Sequence, residues 1–195
     1  MEITNRNDVL LRGYYYHIYN GCNNSERMFF QNRNYPFFLE KVMKHLNDFV
    51  KIYSYCLLPD HFHFLLYIKE LNILISENKR RSVSQAFSNL FNSYSKAINL
   101  QEGRSGNLFN RPFKRILINS EKQLKDMICY IHKNPLHHGL ETDYKFYQWS
   151  SYRGILESEG SQTPYNEVLD MFSGLDKFKE SHSEAPDVLV KKFEL

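Results

Sequence analysis

The segment KIYSYCLLPDHFHFLLYI at residues 51–68 constrains the fold more than any other part of this sequence. Two apolar, aromatic and β-branched runs stand on either side of Pro59-Asp60, a dipeptide typical of a turn. We therefore predict two strands, at residues 51–58 and 61–68, that pair as a hairpin. Strands this apolar belong in the middle of a sheet, so the rest of the chain must supply their neighbours and their cover.

Regular patterns on both sides of this hairpin predict the remaining elements. Residues 12–20, RGYYYHIYN, and residues 112–118, PFKRILI, are typical of strands. Apolar residues at helical spacing predict helices over residues 36–50, 83–98 and 121–134, and the last two follow Ser-x-x-Gln capping boxes. The order β-α-β-β-α-β-α predicts an α+β fold, a ferredoxin-like split βαβ antiparallel sheet with packed helices and an added C-terminal helix and tail.

The organisation of the chain changes near Glu157, where the sequence becomes polar and less regular. We interpret residues 1–156 as one domain. Residues 157–195 are interpreted as a C-terminal extension of unknown role, with a short helix and a loose tail.

Composition limits the classes of function. A net charge of +3 and a pI of about 8.6 permit a nucleic-acid partner without requiring one. Three widely spaced cysteines contain no CxxC pair, so neither a disulfide framework nor a cysteine zinc site is predicted. The N-terminus lacks the apolar segment of a signal peptide, and no run reaches the ~20 apolar residues of a membrane helix. We expect a cytoplasmic protein with no membrane partner.

His61 and His63 stand two residues apart in the second strand of the hairpin. Residues i and i+2 of a strand face the same side, with Cβ atoms roughly 7 Å apart, so both imidazoles can turn toward one cation. Two histidines leave most of a coordination sphere open, as a catalytic metal requires. The alternative is a pair of structural histidines, but the apolar flanks predict sheltered imidazoles, which need partners.

The helix predicted over residues 121–134 carries the other candidates. Tyr130 and Asn134 are four residues apart and lie along one edge of the apolar stripe that should dock on the sheet. Asn134 offers a carbonyl oxygen to a hard cation such as Mg²⁺ or Mn²⁺, and Tyr130 offers a phenol that can act as a nucleophile. Each residue alone is more often structural, and we expect the helix to end near Asn134 because Pro135 follows. The other histidines of this region are interpreted as structural or loop residues: His132, His137 and His138.

In combination, these motifs resemble the HUH single-tyrosine transposases, and among them most resemble the REP-associated tyrosine transposases. The resemblance spans about residues 12–155, with its segments in the family's order. The matching segments are YHIYNGCNNSERMFF at 16–30, YCLLPDHFHFLL at 55–66, GNLFNRPFKRILI at 106–118, YIHKNPLHHGL at 130–140 and WSSY at 149–152.

The resemblance implies the HUH endonuclease fold and a metal-dependent endonuclease and strand transferase that acts on single-stranded or hairpin DNA. It places a divalent cation, Mg²⁺ or Mn²⁺, on His61, His63 and Asn134. It makes Tyr130 the nucleophile that forms a 5′-phosphotyrosine link and leaves a free 3′-hydroxyl. Asp60 stands where the family often has asparagine, and a carboxylate there either tunes the metal site or caps the turn; we favour the turn.

Other functions and assemblies stay open. A replication initiator or relaxase would use the same chemistry, but the YIHKNP motif argues against both. A catalytically inactive nucleic-acid-binding regulator derived from such a transposase is the alternative of a different class. Members of the family act alone or as homodimers, and the sequence does not choose between them.

The segment RSGNLFNRPFKR at residues 104–115 interleaves basic and aromatic side chains. On a surface that binds single strands, charges follow the phosphates and rings stack on the bases. The alternative is a solvated loop followed by an ordinary strand. The candidates for DNA contact are Arg104, Arg111, Lys114, Arg115 and Phe109.

Overall fold

The computed structural model describes residues 10–22, 26–70, 74–76, 79–80 and 82–184. A four-stranded antiparallel sheet lies at its centre. The strands in chain order are β1 (Tyr15–Gly21), β2 (Val50–Leu57), β3 (His61–Ile68), β4 (Leu74–Ser76), β5 (Lys79–Arg80) and β6 (Lys114–Ile118).

The central sheet has the strand order β2-β3-β1-β6, while β4 and β5 form a small separate hairpin. This order is that of a ferredoxin-like sheet, so the predicted α+β fold is confirmed. The predicted β2–β3 hairpin is also confirmed, with the strands beginning or ending within one residue of their predicted limits. The strand predicted from residue 112 starts at Lys114.

The helices in chain order are α1 (Asn34–Leu46), α2 (Val83–Gln101), α3 (Glu121–His137), α4 (Tyr152–Leu156), α5 (Pro164–Met171) and α6 (Leu175–Glu184), with a 3₁₀ helix at Tyr144–Phe146. Helix α1 ends four residues earlier than predicted because Val50 pairs with Ile68 and belongs to β2. No helix in the part of the chain that the structure describes is long and apolar enough to cross a bilayer.

The sheet lies between two apolar layers. On one face, Phe62 and Phe64 of β3 pack with Phe38 of α1 and with α2. On the other face, Leu65 of β3 and Ile116 of β6 belong to the cluster that α3 completes. The stripe of α3 docks on the sheet as predicted, and its buried members are Leu124, Met127, Ile128 and Ile131.

The starts of α2 and α3 agree with their capping sequences. The Ser82 hydroxyl accepts a hydrogen bond from the backbone N–H of Gln85 at 3.0 Å, and the Ser120 hydroxyl accepts one from Gln123 at 3.2 Å. Each bond satisfies an N–H that has no partner within the helix. The two serines therefore fix where α2 and α3 begin.

The predicted end of α3 at Asn134 is wrong, because the helix continues through Pro135 to His137. Pro135 has no N–H to offer to the carbonyl of Ile131 four residues earlier. The side-chain amide of Asn134 donates instead to the carbonyls of Tyr130, at 2.9 Å, and of Ile131, at 3.5 Å. This substitute donor lets the helix pass the proline.

Helices α5 and α6 belong to the same hydrophobic cluster as α3. Val168 and Leu169 of α5 and Phe178 of α6 are buried there, with Phe172 between the two helices. The sequence predicted one short helix and a tail in this part of the chain; the structure has two helices, and residues 185–195 lie outside the described residues.

A buried chain of histidines links α6 to α3 and β2. His182 Nδ1 donates to the carbonyl of Phe178 at 2.7 Å, which leaves His182 Nε2 to accept from His132 Nδ1 at 2.8 Å. His132 Nε2 then accepts from the hydroxyl of Ser151 at 2.9 Å, and the oxygen of that hydroxyl accepts from the backbone N–H of Tyr55 in β2. His132 is structural, as the sequence analysis expected.

The rings of His132 and His182 are both neutral in the folded protein. Burial lowers the pKa of His182 from 6.5 to about 4, and burial lowers the pKa of His132 well below 6.5. A neutral ring makes one donor and one acceptor available, which is what the chain of bonds uses.

The stability of the protein should therefore fall as the pH falls from 6.5 toward 4. In that window the unfolded chain binds a proton at His182 that the folded chain does not, so the free energy of unfolding drops by roughly 1.4 kcal/mol per pH unit for this histidine alone. Urea unfolding at pH 7, 6 and 5 measures the slope. His182→Gln should make the slope shallower, and an unchanged slope would contradict the assignment.

Candidate active site

The two histidines of β3 are brought to the α3 face of the sheet. His61 is 4% exposed and His63 is 1% exposed, while Phe62 between them is fully buried on the opposite face. The rings of His61 and His63 are 5.2 Å apart, centre to centre. Both the common face and the burial agree with the sequence analysis.

Asp60 orients the ring of His61. Its carboxylate lies 2.6 Å from His61 Nδ1, and this hydrogen bond is the main cause that lowers the pKa of Asp60. An ionised carboxylate only accepts, so Nδ1 carries the proton and Nε2 is the remaining lone pair of the ring. The sequence favours a turn-capping role for Asp60; in the structure its carboxylate also binds His61.

His17 of β1 orients the ring of His63. The register of β1 on β3 places His17 opposite Leu65 and Tyr19 opposite His63. His17 Nε2 lies 2.9 Å from His63 Nδ1, and the two rings are stacked at 5.1 Å. His17 could not be predicted as a site residue, because it lies in the aromatic run YYYHIYN and only the register of two strands distant in sequence brings it to the site.

Burial keeps the His17–His63 pair neutral. Burial lowers the pKa of His17 to about 3. Burial also lowers the pKa of His63 well below 6.5, with smaller contributions from the neighbouring rings of His17, His61 and His138. One of the two facing nitrogens carries the single proton of the bond, so the tautomer of one ring determines that of the other.

A row of side chains crosses the sheet beside these histidines. The ring of Tyr19 is stacked on that of His63 at 5.6 Å, and Lys114 Nζ lies 5.4 Å from the centre of the Tyr19 ring. Lys114, Tyr19 and His63 occupy paired positions on β6, β1 and β3. Lys114 is therefore the cation at the exposed margin of the site.

Tyr130 of α3 lies over the histidines. Its ring meets the ring of His63 edge-on at 5.8 Å and the ring of His17 at 6.2 Å, and it is 6% exposed. The docking of the apolar stripe of α3 on the sheet fixes this position. The structure thus brings Tyr130 of α3 to His61 and His63 of β3, although Tyr130 is at least 67 positions from either histidine in the sequence.

Asn134 lies one helical turn after Tyr130 and is fully buried. Its amide nitrogen is used by the backbone of α3, as described above. Its oxygen, Oδ1, is buried and has no hydrogen-bond partner. A buried acceptor without a partner costs about 1–3 kcal/mol, which points to a donor or a cation that completes the site.

Two more histidines lie at this site. The ring of His138 lies 4.6 Å from that of His61, and the ring of His137 is stacked on Tyr130 at 6.1 Å. The sequence analysis interpreted both as loop residues. Because α3 passes through Pro135, His137 is the last residue of the helix and both histidines reach the site.

The candidate DNA-contacting residues do not share one surface. Arg104 forms an ion pair with Glu26, and Arg111 is exposed and donates to Asn92 at 3.1 Å. Phe109 is only 3% exposed and packs in the core, with its ring 4.7 Å from that of Phe91. Lys114 and Arg115 are consecutive on β6 and face opposite sides of the sheet.

The potential metal ligands at this site are too few to fill the coordination sphere of a cation. Within the described ranges, no three histidine, cysteine, aspartate or glutamate side chains are arranged to hold a metal ion. The groups at hand are the Nε2 atoms of two oriented imidazoles and the amide oxygen of Asn134. Such a mixed nitrogen and oxygen set suits a divalent cation that keeps open positions.

Comparisons with known proteins bear on the fold. No protein-family model and no curated protein matches the sequence. A solved structure of a REP-associated tyrosine transposase bound to a REP hairpin matches with a TM-score of 0.63 and 15% sequence identity, and covers 83% of this chain and 89% of that chain. The chain therefore shares the fold of this solved structure.

The neutral state of the His17–His63 pair can be checked in solution. At pH 5 the ring of His17, with a pKa near 3, should still carry one proton, because burial opposes its charged form. Ring nitrogen spectra of protein labelled with ¹⁵N-histidine, assigned with His17→Gln and His63→Gln, measure this. A doubly protonated His17 ring at pH 5 would contradict the buried pair.

Proposed function

We propose that this chain is a metal-dependent single-stranded DNA endonuclease and strand transferase of the transposase type, acting on hairpin-bearing DNA. The observation that carries the proposal is the position of Tyr130, whose ring lies against two buried, oriented imidazoles. The shared fold adds support, because the protein with that fold is a tyrosine transposase bound to a hairpin.

Tyr130 is the nucleophile in this proposal. Its phenol oxygen attacks the phosphorus of a phosphodiester and forms a P–O bond, while the bond from phosphorus to the 3′-oxygen breaks. The phenol loses its proton and the departing 3′-oxygen gains one, so the products are a 5′-phosphotyrosine and a free 3′-hydroxyl. The number of phosphoester bonds is unchanged, and the same site can therefore join strands by the reverse step.

The donor set described above fits Mg²⁺ or Mn²⁺, held by His61, His63 and Asn134. The oxygen of Asn134, buried and without a partner, supplies the hard ligand that such a cation prefers. When bound, a divalent cation offsets the charge of the phosphate and of the transition state. Both imidazoles present Nε2 when Asp60 and His17 accept from their Nδ1–H groups.

The neighbours of the histidines have positioning roles in this proposal. Asp60 and His17 fix the tautomer and the orientation of His61 and His63, so little reorganisation is needed when substrate arrives. Lys114, at the exposed margin next to Tyr19, holds a phosphate of the substrate strand. The alternative, an inactive DNA-binding regulator, would keep the charge of Lys114 without using Tyr130.

The test of the nucleophile is covalent capture. Incubation with a hairpin oligonucleotide that carries single-stranded flanks, in Mg²⁺ or Mn²⁺, should give a protein–DNA adduct that survives denaturing electrophoresis. Tyr130→Phe removes the phenol oxygen and should abolish the adduct while leaving DNA binding unchanged.

Tyr144→Phe is the matched control for this variant. Tyr144 is also 6% exposed, but it lies in the 3₁₀ helix against Tyr152 and His182 rather than against His61 and His63. The control should form the adduct at the wild-type rate. Tight DNA binding by the wild type with no adduct in either metal would favour the inactive regulator.

Binding of Mn²⁺ in the absence of DNA tests the metal site separately. We expect one Mn²⁺ per chain by titration calorimetry or electron paramagnetic resonance, and His63→Gln should remove most of this binding. His17→Leu leaves all three ligands in place but removes the partner of His63, and should weaken affinity by ~10–100-fold.

His132→Gln is the control for the metal experiment, because it changes a histidine that is equally buried but belongs to the chain that links α3 and α6. It should bind Mn²⁺ as the wild type does. Equal loss in both histidine variants would mean that the effect is general unfolding, and unchanged binding in His63→Gln would contradict the metal site.

A further inference from the structure

A cleft of about 470 Å³ lies on the other side of the sheet from Tyr130, between α2 and the loop that leads into β6. One polar edge of α2 lines it with Ser84, Ser88 and Asn92, and the loop and β6 contribute Arg111 and Arg115. Its volume lies in the ~300–1,000 Å³ range of sites for small molecules. The mechanism proposed above uses none of these residues.

The cleft is positively charged. Two arginines and no acidic side chain are among the described residues that line it. The guanidinium of Arg115 lies 4.4 Å from the centre of the half-buried ring of Phe113, and Arg111 is held by Asn92. Arg104 is different, because Glu26 neutralises its charge. Two of the basic residues in 104–115, Arg111 and Arg115, therefore line this cleft, while Lys114 lies on the other face of β6.

The edge of the sheet connects the cleft with the candidate active site. β6 is the last strand on its side, and its residues Lys114 and Arg115 pair with Tyr19 and Ile18 of β1. Successive residues of a strand face opposite sides. Lys114 therefore faces the histidines and Arg115 faces the cleft, with only the thickness of one strand between them.

We propose that the substrate strand crosses the edge of β6 and places one unpaired nucleotide in this cleft. The inference rests on the proposed function and adds the course that the DNA follows. Lys114 binds a phosphate on the side of Tyr130, and Arg115 and Arg111 bind a phosphate on the other side. The hydroxyl and amide groups of α2 and the rings of Phe91 and Phe113 take the base.

The chemistry of the cleft favours a single strand over a duplex. An unpaired base exposes a flat face for stacking and a polar edge for hydrogen bonds, and the cleft offers aromatic rings beside serine and asparagine side chains. A paired base would first have to leave its stack, which costs a few kcal/mol. A single-stranded flank of a hairpin substrate enters without that cost.

The opposite edge of the sheet is closed to a similar path. The backbone N–H of Leu57 donates to Trp149 at 2.9 Å, and the N–H of Ser151 donates to Tyr55 at 3.0 Å. This segment covers the outer side of β2, where it also forms a bridge between Cys56 and Ser150. Of the two edge strands, β6 is the one that carries basic residues on both faces and leads to the cleft.

Binding measurements on uncleavable complexes test the cleft. In a Tyr130→Phe background, Arg111→Gln and Arg115→Met remove one charge each, and Met keeps an apolar stem against Phe113. Fluorescence anisotropy with a labelled hairpin that carries single-stranded flanks should show about tenfold weaker binding for each. The slope of log affinity against log salt concentration should become shallower by about 0.7 for each lost contact.

Lys96→Gln is the matched control, since Lys96 is exposed on α2 and does not line the cleft. It removes the same charge and should change neither the affinity nor the salt slope. Photocrosslinking with 5-iodouracil at successive flank positions gives a second readout. We expect one position to crosslink to Phe91 or Phe113, and that crosslink should be lost in a duplex flank.

The outcomes separate this inference from the proposed function. If the cleft variants bind like Lys96→Gln and no position crosslinks to the cleft, while the chain with Tyr130 still forms its adduct, the cleft inference alone is overturned. If the chain binds no single-stranded DNA, both are overturned. If the cleft variants bind weakly and the crosslink forms but no adduct appears, the cleft inference is supported and the endonuclease is not.

Discussion

The hydrogen bond between His17 and His63, buried between the sheet and α3, is the contact on which the arrangement of the site depends. Two imidazoles can be kept out of water only if they are neutral and have partners, and burial lowers the pKa of both. Because the bond holds a single proton, the tautomer of one ring determines that of the other. The packing of α3, which excludes water from this bond, also places Tyr130 over the rings. The packing that forms the core on this face of the sheet therefore also positions the side chains of the site.

Asn134 joins the second half of the site to the backbone. Its amide nitrogen replaces the donor that Pro135 lacks, which lets α3 continue to His137 and brings His138 beside His61. The same bonds turn the amide so that Oδ1 is buried without a partner. An apolar residue before the proline would offer these carbonyls no side-chain donor and the site no amide oxygen. The proline and the asparagine thus act as a unit, and neither can be understood alone.

Local sequence patterns, such as apolar periodicity and capping residues, were sufficient to predict much of this structure. The alternation in β3 predicted the common face of His61 and His63, the stripe of α3 predicted the placement of Tyr130, and the serine caps predicted two helix starts. What could not be predicted depends on contacts between distant segments. His17 reaches His63 through the register of β1 on β3, and Phe109 is buried by the packing of α2 rather than by any local pattern. The roles of Tyr130, His61, His63 and Asn134 in catalysis stay predictions.

Lys114 and Arg115 can lie on opposite faces of the sheet because β6 is an edge strand. In an interior strand, Lys114 and Arg115 would lie under α3 and α2 and would have to be paired at a cost. At the edge, Lys114 is exposed and Arg115 is half-buried, each on its own face, while their backbones remain in the ladder. A shift of β6 by one residue would exchange the two faces, turning Lys114 away from Tyr19 and Arg115 toward the histidines. The register that aligns Tyr19 with Lys114 therefore also decides which cation lies on the face of Tyr130 and the histidines.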